Sequence, residues 1–114
     1  MIEIVNMEPT LMEKIRSISE YYSPEHQLKK AKEELRELLE ELESALIING
    51  RIILPGNTWS EDADAMIMCI QLAMQHGKEE KVLEQMHYKA DRQLRRIKEE
   101  KWKKRLLDRF TDVR

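Results

Sequence analysis

The chain has 114 residues, 37% of them charged and 5% aromatic, with three Gly, three Pro and a formal net charge of −2. That length holds one modest core and excludes two, and so little Gly, Pro and aromatic content favours helices over a sheet; a single all-α domain over residues 1–114 is expected. The small net charge hides an asymmetry: residues 33–64 carry nine acids against Arg36 and Arg51, whereas residues 92–109 carry nine Lys/Arg against Glu99, Glu100 and Asp108, so one segment suits cations and the other phosphates or nucleic acid.

No basic stretch followed by an apolar run opens the chain, so a signal peptide is not expected. Pro9, and Thr10 followed by Glu13 as a capping box, predict a short first helix over about residues 9–21. Ser23-Pro24-Glu25 reads as N-cap, N1 proline and first-turn acid of a long second helix, which runs to Ile48 and ends at Asn49-Gly50. Its apolar stripe is Leu28, Ala31, Leu35, Leu38, Leu42 and Ala45. The segment RIILPGN, residues 51–57, breaks the helical pattern and reads as a loop or a short extended arm.

Thr58, three residues before Glu61, offers another capping box for a third helix ending at Gly77. Apolar residues surround that helix on nearly every side, which predicts burial against several neighbours, and Glu61, Asp64, Met68, Gln71 and Gln75 share its one remaining stripe. Cys69 lies in the apolar run and is expected to be a small buried hydrophobe; without a second cysteine no intramolecular disulfide forms, which suits a reducing cytoplasm. The longest apolar stretch, near residues 63–74, is too short to span a membrane. A fourth helix starts near Lys78, is expected to turn Leu83, Met86, Ala90, Leu94 and Ile97 inward, and continues from about residue 98 as a basic extension. A helix as apolar as the third also predicts a homo-oligomer, a dimer or tetramer.

Three constellations bear on chemistry. In EELRE, residues 33–37, Glu34 and Glu37 are i,i+3 neighbours able to share a divalent cation, or else part of a solvated acidic face. Glu61 and Asp64 repeat the spacing; a capping box and the helix dipole account for Glu61 and Asp62 but poorly for the deeper Asp64. Two such pairs on successive helices, opposed across a turn, make a cage of hard oxygen ligands suited to Mg²⁺. In YKADRQLRRI, residues 88–97, Lys89 and Arg92 are i,i+3 and Arg96 is one turn on, a cationic face that solvent or a polyphosphate can meet.

Glu33-Glu34-Leu35-Arg36-Glu37, an interval of 23 residues, and Glu61-Asp62-Ala63-Asp64 resemble the EExxE…ExxD pattern of the MazG-like nucleoside triphosphate pyrophosphohydrolases, and the YKADRQLRR segment is similar to one in the phage and bacterial subgroup. The resemblance covers about residues 26–97. It implies a four-helix-bundle-like, oligomeric fold and Mg²⁺-dependent (or Mn²⁺-dependent) cleavage of a nucleoside triphosphate to the monophosphate and pyrophosphate, as in nucleotide-pool house-cleaning. It implies Glu34, Glu37, Glu61 and Asp64 as metal ligands, Glu33 as the residue that orients or deprotonates the attacking water, and Lys89, Arg92 and Arg96 as phosphate ligands. Asp62 stands where the family usually has an apolar residue, and the loop at residues 49–60 is longer and more apolar. A rival from another class is a helical adaptor or nucleic-acid-binding module using RQLRRIKEEKWKKR, whose cations and Trp102 suit phosphates and base stacking.

Overall fold

The structure, a computed structural model, describes residues 10–111. Pro9 and the N-terminal segment read for a leader lie outside them. The described chain is mostly helical, in the order α1 (Leu11–Tyr21), α2 (Pro24–Glu43), β1 (Leu46–Ile48), β2 (Arg51–Ile53), α3 (Thr58–Gln75) and α4 (Glu79–Thr111). None of these helices is long and apolar enough to cross a membrane. The chain divides into two units, Met1–Glu79 and Glu80–Arg114.

In the first unit α1 and α2 each pack on α3. The capping box at the start of α1 forms as expected: the Glu13 N–H donates to Thr10 Oγ1 at 3.2 Å and the Thr10 N–H to Glu13 Oε2 at 3.3 Å. At α2 the Ser23 hydroxyl accepts from the His26 N–H at 3.1 Å, with Pro24 in the first turn.

α2 ends at Glu43, not Ile48, because Leu46-Ile47-Ile48 pairs antiparallel with Arg51-Ile52-Ile53 in the register Leu46↔Ile53, Ile47↔Ile52 and Ile48↔Arg51. Asn49 (φ 52°) and Gly50 (φ 76°) both lie in the left-handed region that a two-residue type I′ hairpin needs. What reads as a helix terminus in sequence is therefore a hairpin tip, and the β-branched residues around it follow their strand preference. Every residue of the hairpin strands is exposed.

The box expected at Thr58 does not form. Gly56-Asn57 turns directly into the helix with Asn57 already right-handed, so Thr58 is the first helical residue, Asn57 makes no side-chain cap, and the Glu61 N–H donates to the Asn57 carbonyl at 3.0 Å. At the other end Gly77 (φ 63°) closes α3 as a Schellman motif, with the Lys78 N–H on the Ala73 carbonyl at 2.8 Å and the Gly77 N–H on that of Met74 at 3.1 Å.

The core inverts the expectation for α3. Its buried residues are Thr58, Ala65 and Gln71, on the side of its polar stripe, while Met66 and Cys69 are exposed. Ile15, Ala31 and Ala65 are the buried apolar residues among those described, alongside Ser19, Gln27, Thr58 and Gln71. Leu28, Leu35 and Leu42 of the α2 stripe remain exposed.

The second unit is the remainder of α4, a continuous helix through the basic extension. Leu83, Met86, Ala90, Leu94 and Ile97 are exposed, contrary to their expected inward role, and no described residue of α4 is buried. Arg92 and Leu106 are half-buried. Leu83, Met86, Ala90, Leu94 and Ile97 share one face at helical spacing, whereas Trp102, Leu106, Leu107 and Phe110 further along fall off it.

Candidate metal centre

Two helices bring four carboxylates together. On α2, Glu34 and Glu37 are successive on one surface, and on α3, Glu61 and Asp64 are one turn apart. Glu34, Glu61 and Asp64 each offer a carboxylate oxygen, and these atoms all lie within 4.8 Å of one another. Glu37 stands outside that triad, near enough for its charge to act on both Glu34 and Glu61. Asp62, on the same turn of α3, is outside this group.

The electrostatics are those of crowded acids. Burial, then the charges of Glu37 and Asp64, raise the Glu34 carboxyl above its ordinary 4.5, with Lys30 pulling the other way. Burial and the charges of Glu37, Asp64 and Glu34 raise Glu61 likewise. Glu34 Oε2 and Glu61 Oε2 are buried with no hydrogen-bond partner. A buried carboxylate oxygen left unpaired is costly, so it calls for a proton or a cation. The donor set is all oxygen, anionic and compact, which fits a hard divalent ion and not a soft thiolate-seeking one.

The other expected site residues stand differently. Glu33 is beside the four but paired with Lys30, 3.4 Å from Nζ to Oε2. Lys89, Arg92 and Arg96 lie along α4; Lys89 and Arg96 are exposed, and the Arg92 guanidinium lies 5.8 Å from the centre of the Tyr88 ring with Nε unpartnered.

Beyond the acids, α2 and α3 hold a buried amide pair that no motif in the sequence marks. Gln27 Nε2 donates to Gln71 Oε1 at 3.0 Å and approaches the Met68 carbonyl at 3.4 Å and its sulfur at 3.3 Å. The two glutamines are 1% and 0% exposed. Their signal in the sequence is the polar stripe of the third helix, in which Gln71 follows Met68 and Asp64 at helical spacing. Gln75, next on that stripe, donates from Nε2 to the Ser19 and Tyr22 carbonyls, both at 2.9 Å, and so satisfies the end of α1.

Comparison with protein-family models, with curated proteins and with solved structures finds no match to this chain.

Proposed function

We propose that the chain is a Mg²⁺-dependent nucleoside triphosphate pyrophosphohydrolase of MazG type, acting as a cytoplasmic homo-oligomer. The observation that carries this reading is the meeting of the two acidic motifs: ligand atoms of Glu34, Glu61 and Asp64 within 4.8 Å of one another, with two buried oxygens lacking partners. A capping box does not account for Glu61, because none forms at Thr58; Glu61 is an acid in the first turn, where the helix dipole favours it, and its side chain also belongs to the cluster.

In this reading Glu34, Glu37, Glu61 and Asp64 hold the ion, with Mn²⁺ as a substitute. When bound, Mg²⁺ supplies positive charge against the negative charge that develops on the phosphates. Glu33 orients the water that attacks the α-phosphorus as the bond to the leaving pyrophosphate breaks. Lys89, Arg92 and Arg96 contribute charge-assisted hydrogen bonds to phosphate. The test is a panel of nucleoside triphosphates incubated with Mg²⁺ and assayed for pyrophosphate. Release that stops on chelation is expected, and no release from any triphosphate with either metal overturns the proposal.

A second reading rests on Trp102, 61% exposed on α4 beside Arg95, Lys98 and Lys103. These residues suit single-stranded nucleic acid, through stacking and phosphate contacts. Affinity for an oligonucleotide that falls steeply with salt, without pyrophosphate release, would favour it.

A further inference from the structure

The hairpin stands with little support from the helices. β1 and β2 make their main contacts with each other, and every strand residue is exposed although all but Arg51 are aliphatic. A lone two-stranded hairpin is at best marginally stable in water, and further strands on its edge stabilise it. The register shows which backbone groups are left open. The two-residue turn at Asn49-Gly50 makes Ile48 and Arg51 the hydrogen-bonded closing pair. Pairs alternate along an antiparallel ladder, so Ile47 and Ile52 form the next, non-hydrogen-bonded pair. Their N–H and C=O groups therefore point outward, those of Ile47 along the free edge of β1 and those of Ile52 along the free edge of β2. Among the described residues, no backbone group outside the hairpin bonds to either one.

The two edges differ in protection. Edge strands are normally blunted by charge, by proline or by a covering element. β2 has Arg51 within the strand and Pro55 two residues past its end. β1 has neither: Ala45-Leu46-Ile47-Ile48-Asn49 carries no charge and no proline. Exposed Leu39 and Leu42, in the last turns of α2 just before β1, extend the apolar surface.

We propose that the free edge of β1 pairs antiparallel with the same edge of a second copy of this chain, about a two-fold axis between the two Ile47 residues, making one four-stranded sheet. Charge and symmetry select this occupant. The uncharged β1 edge meets its own copy with no like-charge contact, whereas joining two β2 edges sets the Arg51 side chains as diagonal neighbours on one face. Joining β1 to β2 leaves a free edge at each end and propagates without closing. In the two-fold pairing the Ile47 N–H donates to the Ile47 carbonyl of the partner subunit, and the reverse. One face of the sheet then carries a row of four isoleucines, Ile52 and Ile47 from each copy, and the other sets Leu46 against Ile48 of the partner subunit. The outer edges are the two β2 strands, where Arg51 and Pro55 stop further addition. The proposal names a surface for the homo-oligomer proposed above and needs nothing of the hydrolase reading.

Amide exchange in the wild-type protein tests the pairing first. At a concentration where light scattering shows association, the Ile47 N–H is expected to exchange at least tenfold more slowly than the Ile52 N–H, although both point outward from a lone hairpin. Equal exchange, or protection of Ile52 instead, overturns the proposal. Cross-linking in a Cys69→Ser background gives a second reading. Ile47→Cys sets its two Cα atoms about 5.5 Å apart across the axis, within reach of a disulfide. Ile52→Cys lies three strand spacings from its own copy, about 14 Å, and out of reach. Mild oxidation is expected to link the first variant into a dimer and to leave the second unlinked. Equal linking of the two, or linking of Ile52→Cys alone, overturns the proposal. So does linking of neither in a protein that still associates, in which case the homo-oligomer stands and its copies meet elsewhere. A monomer at every concentration removes the sheet and the oligomer together. Pyrophosphate release from nucleoside triphosphates reports on the hydrolase reading separately, and its absence leaves the sheet pairing untouched.

Discussion

Asp64 is the residue whose replacement separates the competing needs of the acid cluster. Asp64→Asn removes one negative charge from a group of crowded carboxylates, so the metal-free protein is expected to melt a few degrees higher, while Mg²⁺-dependent turnover falls by at least about 100-fold. Calorimetry and pyrophosphate release check the two halves, and unchanged turnover would remove the cage from the mechanism. The raised Glu34 and Glu61 carboxyls give a pH signature of definite sign. Each favours its protonated form in the fold, so its contribution is fully present below the ordinary 4.5 and is lost as pH rises through the raised value. Metal-free protein should therefore lose stability over that window relative to a Glu34→Gln, Glu61→Gln variant, and Mg²⁺ should restore it, because the ion binds the ionised form. Thermal melts across mildly acidic pH, with and without Mg²⁺, measure this; identical profiles for both proteins would contradict it. These acids were legible in the sequence because i,i+3 spacing on a helix fixes which side chains are neighbours. Gln27 and Gln71 were harder to read, since an amide on a helix carries no charge pattern and its burial depends on a partner 44 residues away.

At the scale of elements, the local chemistry predicted what depends on a few adjacent residues and failed where distant pairing decides. The Thr10 box and the Pro24 start hold because both ends of each interaction lie within one turn. The end of α2 was misplaced by five residues because Asn49-Gly50 serves equally as a helix stop and as a type I′ turn, and pairing of Ile47 with Ile52 selects the turn. Gly50→Ala tests that turn: at φ 76° with open space around the added methyl, backbone strain alone should cost about 1 kcal/mol and loosen the hairpin while the helices persist. Amide exchange of residues 46–53 against helix content by circular dichroism reads the two separately. On α4, replacing Lys89 and Arg92 by Ala should cut turnover about 10-fold or more for each lost phosphate contact. Neutralising Lys101, Lys103, Lys104 and Arg105 should leave turnover nearly unchanged and weaken only nonspecific polyanion binding. Activity governed by the distal four alone would reassign the phosphate role.

For the whole molecule, exposed Leu28, Leu35 and Leu42 on α2, Met66 on α3 and the five aliphatic residues of the hairpin leave much apolar surface uncovered in a single chain. Light scattering at micromolar concentration should give a dimer or tetramer, and Ile47→Lys with Ile52→Lys, at positions 76% and 68% exposed, should shift it toward monomer. A monomeric wild-type protein would count against the oligomer. The buried apolar set of Ile15, Ala31 and Ala65 also has a calorimetric consequence. The heat capacity gained on unfolding scales with the apolar area newly exposed to water, and among the described residues the fully buried set, so largely amide, hydroxyl and alanine, exposes less than a leucine-filled core would. Unfolding of a separated protomer should thus be broad, with enthalpy that changes slowly with temperature. Association through the uncovered leucines and isoleucines would steepen that dependence and tie the midpoint to protein concentration, making dilution itself a denaturant.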